Sequence, residues 1–299
     1  MMFLSSRIAR NFRRPAPFAW RVVAAVLVMG PAAGCSTFDL DKLNPFGPDK
    51  YETKILPDTP ADKLYNQGLA KLQDKSPSDA AKKFGTLEKE FPLSDWSRKG
   101  LLMATYANYQ ADKYDDAIET GKRYVSLFPT SPDAAYALYL VGMSNYEQIP
   151  DISRDQERTE KALEAFQSLV EKYPNSEYVA DAKLKIQITR DQLAGKEMSI
   201  GRHYLVRQNY VGAINRFHTV LAKYQNTRHT EEALERLTEA YMAMGITNEA
   251  QTAAAILGHN FPDSEWYKDA YQLLKTGGLE PREDTDSWLS KLRRTIGLS

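Results

Sequence analysis

One cysteine and four histidines are the side chains best suited to nucleophilic or metal chemistry in this 299-residue chain, and their spacing supports neither. Cys35 has no second cysteine with which to form a disulfide, and one thiol is too few for a structural zinc site. His203, His218, His229 and His259 are scattered without metal-ligand spacing. The sequence also lacks a glycine-rich phosphate loop, a His-Glu-x-x-His motif and a Gly-x-Ser-x-Gly elbow. We therefore predict a protein that is not an enzyme and holds no cofactor or metal.

The position of Cys35 points to a covalent lipid. Arginines precede an uncharged stretch over 22–34, which as a helix would be roughly 20 Å long, whereas a bilayer core needs about 30 Å. This is the layout of a secretory signal peptide, so 1–34 is predicted to be removed. Ala-Ala-Gly before Cys35 resembles the bacterial lipobox, in which the cysteine is acylated, although Ala32 stands where leucine is usual. Acyl chains on Cys35 would hold the protein on a membrane.

The segment 35–60 is predicted to be the lipidated N-terminus and an extended tether, because it has four prolines and no helical or alternating periodicity. By resemblance to the lipoprotein sorting pattern, Ser36 rather than aspartate after the cysteine favours the outer membrane. The predicted location is therefore lipid-anchored on the outer membrane, facing the periplasm. The 39 basic and 39 acidic residues cancel, which argues against nucleic acid as a partner.

After the tether, one pattern returns five times: an aromatic residue, usually proline, any residue, then serine or threonine. Proline stops a helix and the hydroxyl can cap the next one, so each motif predicts a helix end joined to a helix start. Eleven residues before each aromatic there is always an alanine, which is three helical turns earlier. The aromatic residues are Phe91, Phe128, Tyr173, Tyr224 and Phe261, and the alanines are Ala80, Ala117, Ala162, Ala213 and Ala250.

Small residues precede four of these alanines by twelve positions, at Gly68, Thr105, Gly201 and Thr238, where a preceding helix would cross closely. The pattern predicts an all-α, tetratricopeptide-like, right-handed superhelical solenoid of about five helix pairs over 61–275. Ser264–Lys275 is predicted to cap its C-terminal end.

Two of the five units are longer than the others. The third unit has eight extra residues, which fit a polar loop over 148–157. The fourth has fourteen extra residues, close to four helical turns, so a single long helix over 176–208 keeps its packing face. A break into two helices at Gly195 is the competing interpretation. The last residues, 276–299, are predicted to be a flexible tail with a short amphipathic segment containing Trp288 and Leu289.

Tyrosines concentrate on the predicted first helices of the second and third units, at Tyr106, Tyr109, Tyr136 and Tyr139. In tetratricopeptide folds these helices line a concave groove, so the resemblance implies that the tyrosines contact an extended peptide. The alternative is that about half of them are core residues, since a phenol suits either role. Trp96 is predicted to be an exposed anchor at the start of the second unit.

Several segments resemble one family in particular. They include Ala61-Asp62-Lys63-Leu64-Tyr65, Arg158-Thr159-Glu160-Lys161-Ala162, Asp191-Gln192-Leu193-Ala194-Gly195-Lys196-Glu197 and Ala213-Ile214-Asn215-Arg216-Phe217. Together with Cys35 they resemble the BamD family, also called the competence lipoprotein ComL family, of the outer-membrane β-barrel assembly machinery. The resemblance covers 61–274.

This resemblance implies a helical lipoprotein adaptor of the BAM complex that binds the POTRA region of BamA, other BAM subunits and unfolded outer-membrane protein precursors. It places Arg216 and its neighbour Asn215 at the BamA contact, and Trp96 near the precursor-binding region. The alternative for Arg216 is a surface salt bridge within the solenoid. An alternative function is that of a periplasmic tetratricopeptide protein coordinating envelope constriction or peptidoglycan synthesis, although no heptad segment precedes Ala61. A third alternative is a cell-wall hydrolase, but the sequence offers no acid/base constellation to support it.

Overall fold

The computed structural model describes residues 60–92 and 94–296. The predicted signal peptide, Cys35 and nearly all of the predicted tether lie outside these residues. Every regular element in the described ranges is an α-helix. The helices are α1 (Ala61–Gln73), α2 (Pro77–Glu90), α3 (Asp95–Gln110), α4 (Tyr114–Leu127), α5 (Ala134–Tyr146), α6 (Glu157–Lys172), α7 (Val179–Val206), α8 (Tyr210–Lys223), α9 (Thr230–Ala243), α10 (Thr247–Asn260), α11 (Glu265–Thr276) and α12 (Trp288–Ile296).

The first ten helices form five pairs, from α1 with α2 to α9 with α10, and α11 follows them. Each of the helices α1 to α10 packs on the next in the chain, and helices two apart also meet, as α1 does with α3 and α9 with α11. Contacts between neighbours along a chain of helix pairs are the arrangement of a solenoid. The prediction of an all-α, tetratricopeptide-like solenoid is confirmed.

The five phased alanines are completely buried in the second helix of each pair. Four residues further on, the second helix meets the small position of the first helix. A methyl group on Gly142 would lie 2.5 Å from the ring of Phe166, and Gly68 and Gly201 face phenylalanine rings in the same way. In the second unit the glycine lies on the second helix instead, and a Cβ on Gly121 would lie 3.1 Å from the Thr105 side chain of the first helix. In the first, third and fourth units a glycine therefore accommodates a phenylalanine ring.

The motif hydroxyls cap the following helix less regularly than the spacing suggests. The hydroxyl of Ser94 accepts a hydrogen bond from the amide of Ser97 at 3.0 Å, which is the predicted cap. Ser131 and Ser176 instead accept from an amide only two residues later. Thr227 donates to the carbonyl of Tyr224. The motif consistently ends a helix, but its hydroxyl stabilises the turn more often than the next helix.

The long fourth-unit helix is unbroken, since α7 runs through Gly195 over 28 residues. The competing interpretation of a break there is wrong. A Cβ at Gly195 would lie 2.6 Å from the Ile152 side chain, so the glycine admits the long loop of the third unit. Lys196 donates to the carbonyl of Ser153 in that loop at 2.9 Å. The loop formed by the eight extra residues of the third unit therefore packs on the extra turns of α7 in the fourth unit.

The described part of the predicted tail, 276–296, contains α12 and packs on the solenoid. The indole N–H of Trp288 donates to the Tyr241 hydroxyl at 2.9 Å, and its ring lies 4.0 Å from that of His218. Leu289 is only 2% exposed. The tail packs because the second helices of the last two units leave a groove that the apolar face of α12 covers.

A buried carboxylate lies in α9. Glu235 is 6% exposed, and its carboxylate lies 3.3 Å from the guanidinium of Arg236. Burial raises the pKa of Glu235, and the nearby carboxylates of Glu239 and Asp269 raise it further. Together they outweigh the lowering by Arg236, so the pKa of Glu235 rises to about 7. The folded state thus holds a proton that the unfolded state releases near pH 4.5.

Replacing Glu235 with glutamine should therefore change how stability depends on pH. A raised pKa in the folded state contributes stability below the unfolded pKa, and this is lost as pH rises through 7. Glu235→Gln keeps the neutral form, so we expect it to be about 1–3 kcal/mol more stable than the parent at pH 8 and nearly equal at pH 4.5. Urea unfolding at both pH values measures this. Exposed Glu171→Gln is the control, and a gain of the same size at both pH values would contradict the assignment.

Candidate partner-binding surfaces

Four of the predicted groove tyrosines lie together on α3 and α5. We name Tyr106, Tyr109, Tyr136, Tyr139 and Tyr178 the tyrosine surface. The ring of Tyr178, just before α7, stacks on that of Tyr139 with centroids 5.0 Å apart and lies 5.2 Å from that of Tyr136. The Tyr139 hydroxyl donates to the carboxylate of Asp181 at 2.8 Å. Two successive first helices and the residue that precedes α7 thus share one aromatic surface.

Burial raises the pKa of four of these phenols, Tyr109, Tyr136, Tyr139 and Tyr178, so they are neutral at physiological pH. Burial raises the pKa of Tyr136 to about 12, with smaller contributions from the hydroxyls of Tyr106 and Tyr178. Burial and the hydrogen bond to Asp181 raise the pKa of Tyr139. All five rings of the tyrosine surface are half-buried. The surface therefore offers apolar ring faces with neutral hydroxyl groups, which suit contacts to peptide backbone and to apolar side chains.

Two residues in this region differ from the prediction. Tyr178 was missed because it lies outside a first helix, and the available signal was its position two residues after Ser176 of the Tyr-Pro-x-Ser motif. Trp96 is half-buried and packs on Tyr65 of α1, with ring centroids 5.2 Å apart. The ammonium of Lys99 lies 5.0 Å from the ring of Trp96. Trp96 therefore joins two helices of the scaffold and is not the fully exposed anchor that was predicted.

Arg216 lies on α8 and forms an ion pair with Glu197 of α7 at 3.1 Å. The arginine side chain is 41% exposed and that of Glu197 is 19% exposed. Asn215 and Arg216 also line an open groove of about 380 Å³. The salt bridge considered as the alternative does exist, yet it engages one edge of a guanidinium that carries five N–H donors. The Arg216 side chain is partly exposed and lines the groove, within reach of an acceptor on another molecule.

The chemistry-bearing groups of the described ranges do not assemble into a metal site, because no three His, Cys, Asp or Glu residues there could hold an ion. Within those same ranges, no helix combines the length and apolar character needed to cross a bilayer. What the described solenoid presents instead are an aromatic surface and a polar groove. Stacked helix pairs of this kind define a class of protein, the tetratricopeptide-like solenoids.

Comparison with known proteins identifies the family. The model of the YfiO outer membrane lipoprotein family matches residues 57–257. Outer membrane protein assembly factor BamD of Caulobacter vibrioides is 44% identical, with 87% of this chain and 82% of the relative covered. BamD of Rickettsia prowazekii is 41% identical, with 71% and 84% covered, and BamD of Neisseria meningitidis serogroup A is 34% identical, with 74% and 86% covered. The chain belongs to the BamD family.

Two solved structures also match. The crystal structure of MamA has a TM-score of 0.33 at 19% identity, covering 71% of this chain and 96% of that one. The pHSP90 complex of the TPR2AB domain of yeast Sti1 has a TM-score of 0.36 at 13% identity, covering 80% of this chain and 96% of that one.

Proposed function

We propose that this protein is a non-catalytic adaptor in outer-membrane protein assembly, a subunit of the BAM complex. The observation that carries the proposal is membership of the BamD family across nearly the whole solenoid. An acylated Cys35 would anchor it on the outer membrane, with the solenoid in the periplasm. Its two surfaces would serve two kinds of partner, unfolded precursors on one and another BAM subunit on the other.

Unfolded outer-membrane protein precursors are proposed to bind the tyrosine surface. A precursor arrives as an extended chain with exposed backbone and alternating apolar side chains, because its strands have not yet paired. Tyrosine rings contact apolar side chains with little loss of conformational entropy, and their hydroxyls hydrogen-bond to backbone. Neutral phenols bind such chains without selecting one charge, which suits a receptor for many sequences.

The POTRA region of BamA is proposed to bind at Arg216 and Asn215. An exposed guanidinium recognises a carboxylate on a partner by paired hydrogen bonds, and Asn215 beside it offers both a donor and an acceptor. Glu197 pairs with one nitrogen of the guanidinium at 3.1 Å, and the Arg216 side chain lines the groove while 41% exposed. In this proposal Arg216 contacts the partner directly, and its pairing with Glu197 is not required for binding.

Reversing the charge of Arg216 should weaken this association. We expect Arg216→Glu to reduce BamA recovered with affinity-purified full-length protein from solubilised membranes by about tenfold or more, because one attraction becomes a repulsion. Quantitative mass spectrometry of the purified material measures it. Helical content should be unchanged, since exposed ion pairs contribute at most about 1 kcal/mol to folding.

The matched control removes the other half of the ion pair. Glu197→Gln leaves Arg216 in place, so we expect BamA recovery to fall less than twofold. If Arg216 served only the salt bridge, the two variants would behave alike. Equal recovery of BamA with both variants, or absence of BamA from the parent sample, would contradict the proposed contact.

A further inference from the structure

The docked tail shows what the groove between two second helices can hold. The ring of Trp288 lies against His218 of α8. Glu249 of α10 accepts a hydrogen bond from Ser287 at 2.6 Å, and the Thr252 hydroxyl accepts one from a main-chain amide of the tail at 3.0 Å. A short segment with one aromatic anchor therefore binds between the second helices of the fourth and fifth units.

The repeat allows the same three positions to be located elsewhere. His218 precedes the motif aromatic of its unit by six residues, and Glu249 and Thr252 precede theirs by twelve and nine. In the groove two units toward the N-terminus, between α4 and α6, these positions are occupied by Lys122, Lys161 and Glu164. All three line a cavity of about 220 Å³. The structure thus contains a second groove at the register where the tail binds.

This cavity has an apolar floor and a basic rim. Val125, Leu138 and Val141 are among the residues that line it, and Lys172 joins Lys122 and Lys161 around it. Its volume suits one aromatic side chain, since an engineered apolar cavity of about 150 Å³ binds benzene.

The lysines of the rim are only partly paired with carboxylates of this chain. Lys161 pairs with Glu157 at 2.6 Å. Within the described part of the chain, no ion pair involves Lys122 or Lys172. The three lysines outnumber Glu164, the one carboxylate that also lines the cavity, so the rim attracts carboxylates from another molecule.

The other two grooves between second helices differ at the same register. Between α2 and α4 the three positions are Gly85, Asp116 and Glu119, so two are acidic. Between α6 and α8 they are Gln167, Gly212 and Asn215, which are uncharged. The α4–α6 groove alone combines lysines at this register with an apolar cavity among the grooves compared.

We propose that the cavity between α4 and α6 binds a short acidic segment of a partner protein, which inserts one aromatic side chain over Val125, Leu138 and Val141. The segment would lie as the tail lies between α8 and α10, with its carboxylates on Lys122 and Lys161. Charge complementarity and the observed docking of Trp288 in the equivalent groove argue for this occupant. The proposal does not depend on the function proposed above, because it rests on the repeat register.

The test uses a fluorescein-labelled peptide with the sequence of residues 279–290 and blocked termini. This peptide carries a net charge of −3 and contains the Trp288 anchor. Fluorescence anisotropy should show binding to the full-length protein, weakened at least about tenfold by Lys122→Glu with Lys161→Glu. The matched control is Lys63→Glu with Lys183→Glu, which has the same charge change at exposed lysines and should change affinity less than twofold. A peptide with alanine at the tryptophan should not bind.

A second variant tests the cavity without altering charge. Ser168 lines the cavity, and Ser168→Trp should fill it and abolish binding while helical content is retained. No peptide binding to the parent protein would overturn the proposal. Binding that survives both the charge-reversal and the Ser168→Trp variants would also overturn it, since the peptide would then occupy another site such as the tail groove. Binding of phosphatidylglycerol vesicles at these lysines, without peptide binding, would assign the cavity to lipid and likewise contradict the proposal.

Discussion

Replacing Phe166 with alanine is expected to lower the free energy of unfolding by about 3–5 kcal/mol, because it empties the space that the ring fills against the first helix of its unit. Gly142→Ala should lower it by about 1–3 kcal/mol for the opposite reason, since the added methyl group would lie 2.5 Å from that ring. Urea unfolding followed by circular dichroism measures both. These are large effects for one side chain, because the pair joins the two helices of a unit.

The control and the double variant separate this packing from helix propensity. A methyl group on Gly85 would point into open space, with no packed neighbour within 4 Å, so Gly85→Ala should raise stability by about 0.5–1 kcal/mol. Gly142→Thr combined with Phe166→Ala imitates Thr238 and Ala254 of the fifth unit, and should cost less than the sum of its single changes. Strict additivity, or a stabilising Gly142→Ala, would show that the large and small residues do not act as a pair.

The second large effect concerns the tyrosine surface. Tyr109→Ala with Tyr136→Ala should weaken binding of a urea-unfolded β-barrel precursor by about 30-fold or more, since aromatic residues at the centre of an interface each contribute about 1–2 kcal/mol or more. Fluorescence anisotropy with a labelled precursor, rapidly diluted from urea, measures this. Thermal unfolding of each variant shows whether the solenoid remains folded at the assay temperature.

The control for this prediction is a tyrosine of another unit. Tyr210 begins α8, away from the tyrosine surface, so Tyr210→Ala should leave precursor affinity within about twofold. Conservative changes at the same two positions sharpen the result, because Tyr109→Phe with Tyr136→Phe keeps the rings and loses only the hydroxyls. Unchanged affinity of a folded alanine double variant would contradict the assignment of this surface to precursors.

The repeated architecture could be predicted because its signals are local and recur. An alanine such as Ala162, eleven residues before Tyr173, marks one helix face, and the motif after it marks the helix end. Five copies in one phase leave few arrangements other than stacked pairs. The lengthened α7 followed from the same reasoning, because an insertion close to four whole turns keeps the packing face.

Contacts between distant segments were less predictable. The amphipathic pattern around Trp288 is visible in the sequence, but the groove that receives it is formed by α8, α9 and α10 and exists only after folding. For the same reason, the packing of Trp96 on Tyr65, thirty-one positions earlier in the chain, could not be predicted from the sequence. Tyr178 joined the tyrosine surface because the chain returns there after α6.

The two candidate binding surfaces could be predicted in part. Periodicity placed Tyr136 and Tyr139 on one helix, and the structure brings them together with Tyr106 and Tyr109 of the preceding first helix. The partner of Arg216 within the chain could not be inferred, because Glu197 lies on another helix and the spacing between the two depends on the length of α7. Local pattern predicts which residues share a face, whereas pairing across helices needs the fold.

Depletion of this protein from cells that encode it tests the central claim most directly. The measurement is the fraction of outer-membrane β-barrel proteins that are folded, followed by their altered mobility in semi-native electrophoresis. An adaptor for barrel assembly predicts that this fraction falls before cell shape changes, and that the parent protein restores it while Arg216→Glu restores it poorly. Normal levels of folded barrels together with defects in constriction or cell-wall synthesis would contradict the account and favour the envelope-coordination function instead.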